Sequence, residues 1–249
     1  AAPVLACADT DPLPAGPWER GSGGPRLWTV RVSASARRAG ALEGLLDDGE
    51  RARARAFVRA VDRDRYRVAH VALRRLLGAY LGLGPADVRL VREPCPGCGG
   101  PHGRPAADHG AAPHFSLSHA GDAVLLAFAD APVGVDVEEV PSPEAATEVA
   151  GLLHPAERAE LGALPEAARP AAVARCWARK EAYLKGVGIG LGEDPSVTYV
   201  GTGCAPGAVA GWSLADVPAF PGYAAALATR SAPLGGSGES REGEGARRG

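Results

Sequence analysis

The sequence predicts an α+β protein made of two similar α/β halves that meet near residue 131, with a ligand cleft at their junction. A strand-like run, a helical stretch and further strand-like runs follow one another twice along the chain, broken at Ala131-Pro132. A hydrophobic content of 46% over 249 residues is enough to bury a real core. No residue-level repeat links the halves, so the duplication rests on element order alone.

Residues 1–25, rich in Pro, Gly and Ala, and the polar Gly-rich 232–249 read as disordered, leaving 26–131 and 132–231 as the folded parts. Polar and apolar residues alternate over 26–32, as in a strand. A helical pattern over 42–83 places Tyr66, Leu73, Leu77 and Tyr80 on one face, and Gly82 with Gly84-Pro85 closes it. Residues 87–92 read as a short strand. The runs 115–118 and 123–129 read as a hairpin across His-Ala-Gly-Asp. In the second half a strand at 133–138 precedes helical stretches at 143–153, 155–163 and 169–185. Strand-like runs follow at 196–200, 208–214 and 223–229.

A formal charge of −2 gives no general pull toward nucleic acid or membranes, so any anion site must be a local cluster. No apolar run approaches the roughly 18 residues that would span a bilayer, and the first residues lack the order of a signal peptide. The chain has no methionine, so its start is expected to be processed. Five sparse cysteines do not form a disulfide framework, and a reducing cytoplasm is expected. Cys95-x2-Cys98-x3-His102, followed by His109 and His114, has the spacing of half a zinc knuckle. With no fixed fourth ligand, the Pro/Gly-rich surroundings read as a mobile loop of reduced cysteines.

Only two of the 27 Lys and Arg residues are lysines, and both lie in Trp177-Ala-Arg-Lys180-Glu181-Ala-Tyr-Leu-Lys185-Gly. An ammonium is a compact, proton-bearing point charge, whereas a guanidinium is a flat and permanent cation, so this stretch is the first candidate for chemistry. On a helix Trp177, Glu181 and Lys185 form one stripe. A surface Glu–Lys pair explains the charges but not the indole. Burying Trp177 carries Glu181 to the interior margin, where an unpaired carboxylate is costly. In Val133-Gly-Val-Asp136-Val-Glu138 a strand turns the valines to a core and sends Asp136 and Glu138 to the other face. A wet face of an antiparallel strand gives the same pattern. Three converging carboxylates repel unless a cation sits between them. Hard oxygens without histidine favour Mg²⁺ or Mn²⁺ over zinc, with a phosphate-bearing substrate.

Phe115-Ser-Leu-Ser118-His119-Ala-Gly, the 133–138 run and the 177–186 run resemble, in order and separation, the three signature segments of the Sfp-type 4′-phosphopantetheinyl transferases. Gly103-Arg104-Pro105 resembles a fourth, where the family usually has Gly-Lys-Pro. The resemblance covers about 50–200. It implies a pseudo-twofold fold and a cytoplasmic monomer of polyketide and nonribosomal peptide biosynthesis. Its reaction would move the 4′-phosphopantetheine arm of coenzyme A to a serine of an acyl or peptidyl carrier protein, leaving adenosine 3′,5′-bisphosphate. By the same resemblance Asp136, Glu138 and Glu181 hold Mg²⁺ or Mn²⁺, Glu181 is the base, and Lys185 neutralises the departing phosphate. Lys180 and Trp177 position the helix and the pyrophosphate. Ser118, His119 and Arg104 contact the nucleotide of coenzyme A, and Arg63 is chosen from Arg53, Arg63, Arg65 and Arg67 for its 3′-phosphate. Rivals from other classes are a Mg²⁺-dependent nucleotide hydrolase or nucleotidyl transferase and a non-catalytic coenzyme A-binding protein. A serine hydrolase is disfavoured because no Gly-x-Ser-x-Gly elbow is present. The carrier's identity is not written in the chain.

Overall fold

The structure, a computed structural model, describes residues 4–7, 13–21, 23–110, 112–189 and 192–231. The 232–249 tail lies outside them. The first half runs β1 (Val4–Cys7), β2 (Arg26–Arg31), α1 (Val32–Ala41), α2 (Asp48–Ala56), α3 (Ala60–Leu81), β3 (Leu90–Arg92), β4 (Pro105–Ala107), β5 (His114–Ala120) and β6 (Ala123–Ala129). The second runs β7 (Val133–Glu139), α4 (Pro143–Ala150), α5 (Pro155–Ala163), α6 (Arg169–Val187), β8 (Trp212–Val217) and β9 (Tyr223–Arg230).

The fold is α+β. β6 is apolar at every position and therefore lies inside a sheet of order β1-β2-β6-β5, pairing antiparallel with β2 and β5. Its Val124, Leu126 and Phe128 pack on Leu73, Leu77 and Tyr80 of α3. Its Leu125 and Ala127 point the other way and meet Val133, Val135 and Val137 of β7 and Leu227 of β9. β7, β9 and β8 form a separate antiparallel sheet. Serine hydroxyls join the two: the Val135 N–H donates to Ser116 Oγ at 3.1 Å and the Val137 N–H to Ser118 Oγ at 3.3 Å. The constant offset shows β5 and β7 running parallel. These bonds fix the register of Ser118 beside Asp136.

α6 lies directly on β7, and Gly134 and Gly186 make that approach possible. A Cβ on Gly134 would run into the Ala182 carbonyl oxygen and the Gly186 N–H, and one on Gly186 would come within 2.6 Å of the Trp212 ring. The contact sets Glu181 and Lys185 over the Asp136 end of the strand.

Four expectations need correction. The 1–25 segment is not without structure, since Val4–Cys7 pairs in parallel with β2 and Trp18 is buried, its indole N–H donating to Asp130 at 2.7 Å. The 42–83 pattern divides into a 3₁₀ turn, α2 and α3, and α1 precedes it. α1 has no local cap. Its first turn is closed from the β5–β6 turn, where the Asp122 backbone carbonyl takes the Val32 N–H and its carboxylate takes the Ser33 N–H at 2.6 Å. The 208–214 run gives only a strand that starts at Trp212 and continues to Val217.

The 196–200 run is not a strand, because side chains replace its ladder. Glu157, fully buried, accepts the Val200 and Gly201 N–H groups at 2.7 and 3.2 Å, and the Thr198 carbonyl accepts Lys180 Nζ at 2.5 Å. Glu157 and Lys180 also pair at 2.8 Å. Removing one partner leaves the other charge uncompensated, so Lys180→Met is expected to cost about 3–5 kcal/mol of stability. Urea unfolding reads this directly, and an unchanged midpoint would refute the pairing.

Candidate active site at the crossing of β7 and α6

β7 is buried on both faces as far as Val137, so Asp136 is not on a wet face but is only 2% exposed. Its Oδ1 accepts Lys185 Nζ at 2.5 Å and the Ser118 hydroxyl at 2.7 Å, and Lys185 Nζ lies 3.0 Å from Ser118 Oγ. Its Oδ2 is buried, and the one donor within its reach is the Glu138 carboxyl in its protonated form.

Glu138 and Glu181 complete an acidic centre. Burial first, and the Asp136 charge second, push the Glu138 carboxyl up to about 8. The same two causes raise Glu181, with Lys185 opposing them. One ammonium thus serves three acids, and the centre is short of positive charge. The three do not close into a finished cage. Among the described residues, the group of three whose ligand atoms all lie within 4.8 Å of one another is Cys95, Cys98 and His102. Lys185 is seated on Asp136 instead.

The folded chain holds a proton on Glu138 that the unfolded chain releases above its ordinary 4.5. Its contribution to stability is therefore complete below that value and is lost as pH rises toward 8. In chelator, melting points are expected to fall from pH 6 to pH 8, and less steeply for Glu138→Gln. Equal slopes would contradict the raised carboxyl.

Lys185 also reaches a cleft of about 530 Å³ lined by His70, Arg92, Arg104, Phe115 and Ser116 among others. The cleft lies between α3, the β3–β4 hairpin and β5, closed by the end of α6, so the first half supplies most of its walls. The carboxylates stand behind Lys185 rather than on its lining. A smaller hollow of about 260 Å³ between α4, α5 and α6 holds none of the candidate residues.

The other candidates divide. Arg104 lines the cleft while donating to Glu93 at 2.6 Å and to the Gly186 carbonyl at 2.6 Å, which ties it to the end of α6. His119 is not among the residues that line the cleft; desolvation first, then the charges of Arg65, His70 and Lys185, lower its imidazole pKa. Trp177 is half-buried against the α4–α5 cluster. Ser118 is not a free nucleotide ligand here, because its hydroxyl is spent on Asp136 and on the β7 backbone. Lys180 does not join Asp136 and Lys185, since its ammonium is taken by Glu157 and the Thr198 carbonyl. Arg63 stands off the cleft, its Nε 3.9 Å from Asp64. Arg65 is bound to the Gly121 carbonyl and Arg67 to Glu43.

The sequence reading missed a polar cluster on the cleft wall. Glu50 accepts Arg74 Nε at 2.5 Å and lies 2.8 Å from His70 Nδ1, while Asp47 accepts Arg74 Nη2 at 2.7 Å. The visible signal was the Asp47-x-x-Glu50 capping box.

An α+β fold with a lysine-bridged acidic centre beside a cation-lined cleft suits divalent-ion chemistry on a polyanionic substrate. The family model described as "4'-phosphopantetheinyl transferase superfamily" matches residues 132–203, the segment that holds the three acids and Lys185. The chain is 34% identical over 184 residues to a phosphopantetheinyl transferase of Thraustochytrium sp., covering 66% of this chain and 61% of that protein. It is 27% identical over 201 residues to the 4'-phosphopantetheinyl transferase HetI of Nostoc sp., covering 77% and 81%. It is 30% identical over 143 residues to the 4'-phosphopantetheinyl transferase psf-1 of Bacillus pumilus, covering 57% and 58%. The matches thus span about three fifths of the Thraustochytrium and Bacillus proteins. Residues 132–203 are thus similar to the 4′-phosphopantetheinyl transferase superfamily, and longer stretches of the chain are similar to proteins named for that activity. Among the described residues no helix is long and apolar enough to cross a membrane.

Proposed function

We propose that this protein transfers the 4′-phosphopantetheine arm of coenzyme A to a serine of an apo acyl or peptidyl carrier protein, releasing adenosine 3′,5′-bisphosphate. The observation that carries the reading is a buried Asp136 whose Oδ2 receives no N–H or hydroxyl from the fold, beside two further carboxyls held above their ordinary pKa, so that a proton on Glu138 stands where a cation would serve. Such a donor set fits a hard divalent cation, and Asp136, Glu138 and Glu181 are the residues that would hold Mg²⁺, or Mn²⁺ in its place. Bound there, the ion would supply Lewis-acid neutralisation of pyrophosphate charge.

The chain's own residues do the rest. Glu181, raised toward neutrality by its surroundings, takes the proton of the carrier serine as its oxygen bonds to phosphorus. The bridging phosphorus–oxygen bond breaks, and the electron pair leaves with adenosine 3′,5′-bisphosphate. Lys185, at the boundary of cleft and acids, offers its ammonium to that departing phosphate. Ser118 holds Asp136 and Lys185 in register from β5. Arg104 and Arg92 give the cleft a cationic lining for the nucleotide phosphates, and the His119 imidazole, its pKa lowered, can meet them as a neutral hydrogen-bonding group. One chain carries all these groups, so a cytoplasmic monomer suffices, with the two halves of the fold as pseudo-twofold subdomains.

The test is incubation with coenzyme A, Mg²⁺ and an apo carrier protein, read by intact mass. A gain of one phosphopantetheine arm on the carrier is expected. Hydrolysed coenzyme A with an unmodified carrier would instead favour a nucleotide hydrolase.

A further inference from the structure

Apart from the acidic centre, the structure gathers a second set of ligands. Cys95, Cys98 and His102 each offer an atom within 4.8 Å of the other two. They sit in the loop of the β3–β4 hairpin, whose strands are three residues each and pair through Leu90, Val91 and Arg92. A ribbon of that size is marginal by itself. The loop is nonetheless tightly wound: the Cys95 N–H donates to the Gly100 carbonyl at 2.7 Å and the Gly99 N–H to the Cys95 carbonyl at 2.8 Å. Gly99 takes a φ of +73°, and a Cβ on Gly100 would come within 3.1 Å of His102 Nε2. The N–H groups of Gly97 and Cys98 point at the Cys95 sulfur, an arrangement that favours thiolate over thiol. The mobile loop expected from the sequence is therefore a wound knuckle.

We propose that Cys95, Cys98 and His102 bind one Zn²⁺, with solvent in the fourth position, and that this ion fixes the hairpin loop against the end of α6.

Zinc takes thiolate sulfur at about 2.3 Å and imidazole nitrogen at about 2.0 Å, so tetrahedral ligand atoms lie about 3.3–3.8 Å apart. Cys98 Sγ already lies 3.0 Å from His102 Nε2, and the third donor lies inside 4.8 Å, so adjustments of about 1 Å seat the ion. Soft sulfur and imidazole select zinc over magnesium, which separates this site from the carboxylates of β7 and α6. Cys98 and His102 are exposed and Cys95 is buried, which leaves the outer side open to water. His102 also lines the cleft. A Cβ on Gly97 would stand 3.8 Å from the Ile189 side chain just past α6, and Arg104, two residues after His102, donates to the Gly186 carbonyl. The ion would thus act as a positioning element of the cleft wall, independent of the transfer reading.

The full untagged chain, loaded with Zn²⁺ and desalted, is expected to carry one zinc per chain. Co²⁺ loading should give a thiolate-to-metal charge-transfer band. Cys98→Ser and His102→Ala, both at exposed positions, should fold with the wild-type circular dichroism and lose the metal by at least tenfold in affinity, and the serine variant should lose most of the band. Overturning results are a wild type with no zinc and no band, variants that keep the wild-type stoichiometry, or a Cys95–Cys98 disulfide that persists under the loading conditions.

Discussion

Glu181→Gln is expected to lower the proposed transfer rate by about 10² to 10⁴ while leaving the fold intact, because it removes the proposed base without removing volume. Glu181 sits on the half-buried margin of α6, and its pKa is raised by burial and by Asp136. A carboxyl poised nearer neutrality accepts a hydroxyl proton more effectively than an ordinary glutamate, and an amide cannot accept one at all. Since Gln also lacks the charge that strains Glu138 and Asp136, the melting point in chelator should hold or rise. A single-turnover assay with apo carrier checks the rate. Wild-type turnover in this variant would remove Glu181 from the chemistry.

Gly134→Ala is expected to be more damaging than a one-carbon change suggests. The added Cβ would meet the Ala182 carbonyl and the Gly186 N–H, which are backbone atoms that cannot rotate away. α6 must lift off β7, at a cost of about 1–3 kcal/mol or more for the overpacking. The helix carries Glu181 and Lys185, so Asp136 would lose its ion pair with Lys185, now 2.5 Å long. Misplacement by about 1 Å typically costs 10²-fold in rate, and transfer should fall at least that far even where the variant remains folded. Thermal unfolding and the single-turnover rate together read both effects. A variant with wild-type stability and rate would show that the close approach does not position the site.

The centre was legible because an arginine-rich chain keeps lysine only at 180 and 185 and because the acids of 133–138 alternate. The same periodicity that joins Glu181 to Lys185 also separates the two lysines. Five residues turn about 140° around a helix, so Lys180 had to face elsewhere. It faces Glu157, a partner that no local pattern announces. The burial of Asp136 was hidden for a similar reason. β7 reads as a half-wet strand, yet β5, β6 and β9 flank it and α6 covers it, all contacts between distant segments. α1 escaped notice because its cap comes from Asp122, 89 residues away from Ser33. The 196–200 run looked like a strand because its residues suit one, but carboxylate and ammonium side chains took its backbone bonds.

The proposed chemistry requires Asp136, Glu138 and Glu181 to share a divalent ion next to Lys185. Titration of the chain with Mn²⁺ in the presence of coenzyme A, followed by electron paramagnetic resonance, measures that ion itself. One tightly held Mn²⁺ per wild-type chain, weakened at least tenfold in Asp136→Asn and unchanged in Cys98→Ser, is the predicted result. Wild-type affinity in Asp136→Asn, or no bound Mn²⁺ in the wild type, would contradict it.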